Sequence, residues 1–300
     1  MKKDCSLIAT IPSLNNLEKV KTMFKNSYVS EVRFNTGVHT PYSIEDTLQL
    51  LKLLSEKYNK KLWIDIKGRQ LRVVKWADPL YECIEINHKI EVSYPAHVYF
   101  RNGDKVNLEI INKEGNKLYV DPLPMQAVGA GQSVNIISKD IQIDGYLTEK
   151  DKEYLIACKK LNINNIMASF VETYDDLAQI SDILPNAQIV SKVESLKGIE
   201  FISNNDIQNL MAARDDLYIQ SGQNYSMLNH LKTIIERNKK AICASRIFTS
   251  LEKSPIVDLA DYADLELMYN MGYRKFMLCD NICNYHFLDA IKAWEGFING

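Results

Sequence analysis

Glu194 and Asp216 are carboxylates of the kind that share a hard divalent cation such as Mg²⁺, an ion bound through one or two acidic side chains that keeps waters for a substrate to displace. Arg33, Lys67, Arg72 and Lys192 supply positive charge for the same point, and Ser169 and Ser245 add hydroxyl donors. A cation set among basic residues suits a small, doubly anionic substrate carrying carboxylate and phosphate. The same equipment stabilises a phosphoryl group in transfer. The chemistry expected is electrostatic catalysis on a phosphorylated or enolic small acid.

Most of these residues stand at the end of a short β-type run, so the runs decide where they meet. Such runs fall at 7–11, 32–35, 62–66, 166–170, 189–193, 210–213, 242–245 and 275–278. Between them lie stretches of helical period at 14–24, 175–184, 225–237, 258–271 and 287–297. Ser43, with Asp46 three residues on, opens another helix carrying Ile44, Leu48, Leu51 and Tyr58 on one face, and Thr148 opens a further one. Eight alternating units are the number at which a parallel sheet closes into a (β/α)₈ barrel, whereas an open doubly wound sheet more often stops at about five or six. The βα loops of a barrel converge on one face. That mouth would collect Arg33 and Asn35 from the second strand, Asp65 and Lys67 from the third, Ser169 from the fourth, Lys192 and Glu194 from the fifth, Asp215 and Asp216 from the sixth, and Ser245 from the seventh. Any barrel has hydrophilic strand ends, but charges of both signs meeting at one rim favour a site.

The βα rhythm breaks between the third and fourth strands. Alternating runs such as Ile90 to Tyr94 and Lys105 to Ile110, with turn signals at Asn102-Gly103-Asp104 and Glu114-Gly115-Asn116, predict a small all-β domain over 73–144, inserted into a barrel formed by 1–72 and 145–300. Gly129-Ala130-Gly131-Gln132-Ser133 lacks the Lys-Ser/Thr ending of a phosphate-cradling loop and precedes a β segment, so it reads as a turn.

Thirty-six basic against 38 acidic residues leave a net charge of −2, which gives no global field toward nucleic acid or an anionic membrane surface. The apolar stretch near the N-terminus is too short for a signal peptide or a membrane span. Six scattered cysteines without a C-x-x-C pair suit reduced thiols, so a cytoplasmic protein is expected; Cys279 and Cys283 lack the second pair that a structural zinc site needs. A homo-oligomer is left open.

Six segments taken together resemble the ordered signature blocks of pyruvate kinases: Asp65 to Arg72, Leu147 to Asp151, Ala168 to Val171, Val190 to Ser195, Met211 to Leu217, and Cys243 to Arg246. The resemblance runs over essentially the whole chain. It implies phosphoryl transfer between phosphoenolpyruvate and ADP, with pyruvate and ATP as products. Arg33 and Lys192 would hold the transferring group, Glu194 and Asp216 would bind Mg²⁺, and Asn35 and Asp65 match two ligands of the family's monovalent cation, usually K⁺. Arg72 matches a basic residue near the nucleotide phosphates, Ser169 the hydroxyl beside the phosphate, and Ser245 a Thr near the carbon that accepts a proton.

There are departures. A Gly whose backbone amide approaches the substrate carboxylate is Asp215 here, a third K⁺ ligand is Gly37, and the usual Ser-Gly-Glu-Thr near the eighth strand is Cys279-Asp280-Asn281-Ile282. With Gly300 following the eighth helix, no C-terminal regulatory domain and no allostery of the family's usual kind are expected. Two alternatives stay open: metal-dependent cleavage or condensation of pyruvate or a related enolate on the same barrel, and a non-catalytic binding relative.

Overall fold

The computed structural model describes Lys2 and residues 4–75, 83–100, 103–126, 128–138 and 140–300. It divides into two compact units: Met1–Ile66 with Glu149–Gly300, and Lys67–Thr148.

The first unit is a closed barrel. It opens with β1 (Ser6–Ile11), α1 (Leu17–Lys25), β2 (Val29–Asn35), α2 (Ile44–Tyr58) and β3 (Lys61–Ile66). The second unit follows in the chain with β4 (Ile84–Glu85), β5 (Ile90–Glu91), β6 (Ala96–Phe100), β7 (Lys105–Ile111), β8 (Lys117–Asp121), β9 (Val134–Ile137) and β10 (Gln142–Ile143). The barrel then continues through α3 (Glu149–Lys160), β11 (Asn165–Ala168), α4 (Tyr174–Ile183), β12 (Gln188–Val193), α5 (Leu196–Asn204), β13 (Leu210–Ala213), α6 (Arg214–Gln220), α7 (Ser226–Arg237), β14 (Ile242–Ala244), α8 (Leu259–Met271), β15 (Lys275–Met277), α9 (Asp280–Tyr285) and α10 (Phe287–Asn299). Its strands run in the order β1-β15-β14-β13-β12-β11-β3-β2, every pair parallel. This is the (β/α)₈ barrel, with its β insertion after the third strand, that the pattern of runs predicts.

The period of two along a strand explains how an oily cylinder ends in a polar mouth. Ile8, Trp63, Met167, Val190, Met211, Ile242, Ala244 and Met277 form one buried cluster from all the barrel strands except β2. Two residues beyond Ile8, Trp63, Met167 and Val190, on the same side of their strands, come Thr10, Asp65, Ser169 and Lys192, all buried. The apolar layer thus sets the direction of the polar one.

Helix starts follow local chemistry. The Ser43 hydroxyl accepts the Asp46 N–H at 3.1 Å, and α2 buries Leu48, Leu51 and Leu54 before Asn59, at φ +49°, ends it. α1 begins three residues later than the expected Leu14, because the Asn16 side chain accepts the Lys19 N–H and caps it there. Three helices have no counterpart in the sequence expectation: α5, α6 and α9. Three predicted strands end early, β15 by one residue at Met277. β11 stops at Ala168 because Phe170 turns to φ +50°, and β14 stops at Ala244 because Ser245 and Arg246 take φ +66° and +57°.

The second unit contains a five-stranded antiparallel sheet, β4-β8-β7-β6-β9, and a two-stranded one, β10-β5. Leu71, Val98, Phe100, Leu118 and Ile136 are among its buried core. Gly115 takes φ +84°, and a Cβ there would lie 3.1 Å from the Ile90 carbonyl, which explains the glycine in the Glu114-Gly115-Asn116 turn. Gly103 turns at φ +94°, while Asn102 of the same signal lies outside the described residues. Gly129 to Ser133 is a turn, closed by the Gln132 N–H donating to the Gly129 carbonyl.

Candidate active site

At the C-terminal end of the barrel strands, Asp65 of β3 joins two cations. Its Oδ2 accepts from Arg33 Nε and Nη2 at 2.7 and 2.5 Å, and its Oδ1 lies 3.4 Å from Lys192 Nζ. Lys192 of β12 also donates to Ser169 Oγ at 2.8 Å and meets Glu194 Oε1 at 3.1 Å. Ser169 in turn donates to the Ile66 carbonyl at 2.9 Å. Glu194 is fixed on its other oxygen: the Phe170 N–H donates to Oε2 at 2.8 Å, which requires the left-handed backbone that ends β11 early. A strained backbone angle and a metal-type carboxylate are therefore coupled.

The charges shape one another. Burial works against charge on Lys192, but Asp65 and Glu194 outweigh it and hold the ammonium above the ordinary lysine range. Burial pushes Glu194 up to about 7, with Lys192 opposing and Asp216 and Asp65 adding to the rise. Asp216 sits in the first turn of α6, where its charge is felt by both Glu194 and Lys192. Among the described residues no group of three or more His, Cys, Asp or Glu side chains is placed to hold a metal alone. Two carboxylates in an excess of negative charge fit Mg²⁺, which takes one or two acidic ligands and completes its shell with water and substrate oxygens.

The rim is held by two arginines. Arg246 Nε donates to Asp215 Oδ1 at 2.9 Å, and its guanidinium lies 4.5 Å from the Tyr218 ring centroid. The Asp215 carboxylate is thus turned to a cation at the exposed rim, which relieves its repulsion from Asp216. Arg214, buried, donates from Nη1 to both Asp264 oxygens at 2.7 and 2.8 Å and from Nη2 to the Ser245 carbonyl at 2.6 Å. It holds the turn that presents Ser245.

Lys67 and Arg72 belong to the second unit. There Arg72 donates through Nε and Nη2 to Gln70 Oε1 and through Nη1 to the Gly131 carbonyl. The residues that the structure shows gathered together are those of the barrel.

Comparison with known families adds a match to the model described as "Pyruvate kinase, barrel domain" over residues 90–280. The chain belongs to the pyruvate kinase family. It is 25% identical to "Pyruvate kinase" of Agaricus bisporus over 299 residues, covering 87% of this chain and 56% of that protein. It is 24% identical to "Pyruvate kinase" of Borreliella burgdorferi, covering 93% of this chain and 64% of that protein, and 24% identical to "Pyruvate kinase 1" of Saccharomyces cerevisiae, covering 87% and 59%. The chain thus spans less than two thirds of the length of these relatives. At such identity this is a divergent member of the family.

The residues singled out in the sequence stand on or just after six of the barrel strands, and the other two complete the mouth. Thr10 of β1 accepts from Arg33 Nη1 at 3.2 Å and donates to the Leu278 carbonyl at 2.7 Å. Asp280, which opens α9 after β15, accepts from Arg33 Nη1 at 3.0 Å and from Asn35 Nδ2 at 3.1 Å. Asn35 Oδ1 accepts the Gly37 N–H at 3.0 Å. Asn35 and Asp65, the two residues that match K⁺ ligands, therefore both have protein partners in this chain. The signal for Asp280 was its acidic character one turn past the last strand, at a departure from the family block.

One cysteine touches this gathering: Cys283 Sγ accepts the Thr10 N–H at 3.2 Å. All six thiols are free; Cys158, Cys243 and Cys283 are buried, and burial pushes the first two up to about 12 and about 11 and raises the third as well. Because the thiolate is the reactive form, a chromogenic disulfide reagent at neutral pH should leave these three silent in the folded protein and titrate them only in denaturant. Six fast-reacting thiols without denaturant would contradict the packing.

Proposed function

We propose that this chain is a pyruvate kinase-like phosphotransferase, moving a phosphoryl group between phosphoenolpyruvate and ADP with Mg²⁺. The observation that carries the proposal is the Lys192 ammonium, buried and held charged between Asp65, Glu194 and Ser169. In the direction of ATP formation, the bond from phosphorus to the enol oxygen breaks and one to a terminal ADP oxygen forms. The enolate then takes a proton at its terminal carbon to give pyruvate. Lys192 and Arg33 hold the phosphoryl oxygens, and Lys192 faces the charge that develops on them. Ser169 orients the Lys192 amine. Ser245 stands on the side of the carbon that is protonated, and the Asp215 backbone amide faces the substrate carboxylate while its side chain stays on Arg246. Lys67 and Arg72 serve the substrate and nucleotide phosphates.

Glu194 and Asp216 would hold Mg²⁺, which when bound polarises the enol oxygen and neutralises the substrate carboxylate. Asn35 and Asp65 remain as two oxygen donors for K⁺, while Gly37 removes a third, so dependence on K⁺ is weaker here than in the family. Free thiols at all six cysteines suit a reducing cytoplasm.

The test is formation of pyruvate and ATP from phosphoenolpyruvate and ADP over a Mg²⁺ titration, with wild type beside Asp216→Asn. Activity that saturates with Mg²⁺ in the wild type, and needs much more metal in the variant, supports the assignment. No pyruvate at any Mg²⁺ concentration defeats the activity, and coincident metal titrations remove Asp216 from the ligand set.

A further inference from the structure

Both Arg33 and Lys192, the cations proposed to hold the phosphoryl group, are already engaged by carboxylates. Arg33 has carboxylates on two edges: Nε and Nη2 reach Asp65, and Nη1 reaches Asp280. The Asp280 carboxylate spreads its two oxygens over Arg33 Nη1 and Asn35 Nδ2, residues two apart on β2 and therefore on one face of that strand. A pair of oxygens bridging an arginine and an amide is what a phosphoryl group would offer to the same two side chains. Among the described barrel residues linked by these contacts, Arg33 and Lys192 meet the charge of four carboxylates, Asp65, Glu194, Asp216 and Asp280.

The two carboxylates on Arg33 are not equivalent. Asp65 is fully buried and also meets Lys192, so it stays. The Asp280 side chain is 28% exposed, so its carboxylate can turn outward to water. A phosphorylated acid has to displace Asp280 to reach Arg33. An unphosphorylated keto acid or enolate, held by the metal carboxylates and Lys192, does not.

We infer that Asp280 is a specificity-determining residue that lowers the affinity of the mouth for a phosphorylated acid relative to its unphosphorylated counterpart, by occupying the edge of Arg33 that the phosphoryl group needs. The inference rests on the phosphoenolpyruvate reading above and adds to it a built-in competitor. Asp280 would bias the bound population toward the product side of the transfer.

The experiment is isothermal titration calorimetry of the full chain with Mg²⁺, using phosphoenolpyruvate and oxalate, an unphosphorylated mimic of the enolate, on wild type, Asp280→Asn and Asp280→Ala. Asn keeps the shape of Asp280 and its polar contact with β2; Ala removes any oxygen that Arg33 can hold. The ratio of phosphoenolpyruvate to oxalate affinity should rise about tenfold or more in both variants, the worth of one charge-assisted hydrogen bond returned to the ligand. A ratio that stays at the wild-type value in both, including one where both affinities rise together because a negative charge has gone, overturns the inference while oxalate binding keeps the site. If neither ligand binds any of the three proteins, the phosphoenolpyruvate reading itself fails and the inference goes with it.

Discussion

Lys192→Met should lower phosphoenolpyruvate turnover roughly 10²-fold or more, because it removes a fixed charge aimed at the oxygens that gain charge in the transition state. Methionine nearly fills the lysine volume, so the barrel layer below, where Val190 shares the inward face of β12, keeps its packing. The three partners of the ammonium respond differently. Ser169 keeps its bond to the Ile66 carbonyl and Asp65 keeps Arg33, whereas Glu194 loses the cation that opposes its rise to about 7. With that competitor gone, Mg²⁺ should bind at least as tightly as in the wild type above the Glu194 titration range. Slow turnover with metal binding intact is the signature of a lost transition-state contact, and it is measured by pyruvate formation beside calorimetric Mg²⁺ titration. An unchanged rate would remove Lys192 from the chemistry, and loss of metal binding would mean that the whole mouth had collapsed.

The second large effect is on stability. Arg214→Leu should cost about 3 kcal/mol, since it takes a charged donor from the carbonyls of Ala244 and Ser245 and the counter-ion from Asp264. Asp264→Ala should cost a comparable amount, because it leaves the buried Arg214 guanidinium without its counter-ion although its bonds to the two carbonyls remain. Urea unfolding of both single variants and the double variant measures the coupling. A double variant no worse than Arg214→Leu supports the pair, and additive losses would show that Arg214 acts through the carbonyls alone. Activity gives a second readout: slackening the Ser245 turn should lower turnover in Arg214→Leu below that of a surface variant of equal stability.

The strands were legible because each is a short run rich in Val, Ile, Leu or Met flanked by polar residues, and eight of them in alternation with helices leave few architectures. Residues at the ends of those runs, Arg33, Asp65, Ser169, Lys192 and Glu194, follow directly, since the barrel brings every strand end to one face. The helices that escaped prediction are short or disguised. α6 and α9 span seven and six residues, too few for a period to declare itself, and α5 carries Gly198 and the β-type residues Ile199, Phe201 and Ile202. Ser195, whose hydroxyl accepts the Gly198 N–H, was the available sign of α5. Thr10 and Asp280 could not be assigned to Arg33 without the ring order, because only the pairing of β1 with both β2 and β15 makes neighbours of residues from opposite ends of the chain. Arg214 escaped for a similar reason: β13 and β14 must lie side by side before an arginine after one can hold the turn after the other.

The seam between β1 and β15 also bears on how the protein is made. Thr10 and Leu278, which bond across it, are 268 residues apart. At a synthesis rate of about 5–20 residues per second, the nascent first strand waits on the order of 10–50 s for its last neighbour. During that interval β1 offers one unpaired row of amides and carbonyls beside the apolar side chains of Leu7, Ile8, Ala9 and Ile11, the arrangement that strays into aggregation. Nascent chains released short of Lys275–Met277 should therefore sediment as aggregates more readily than chains that include it.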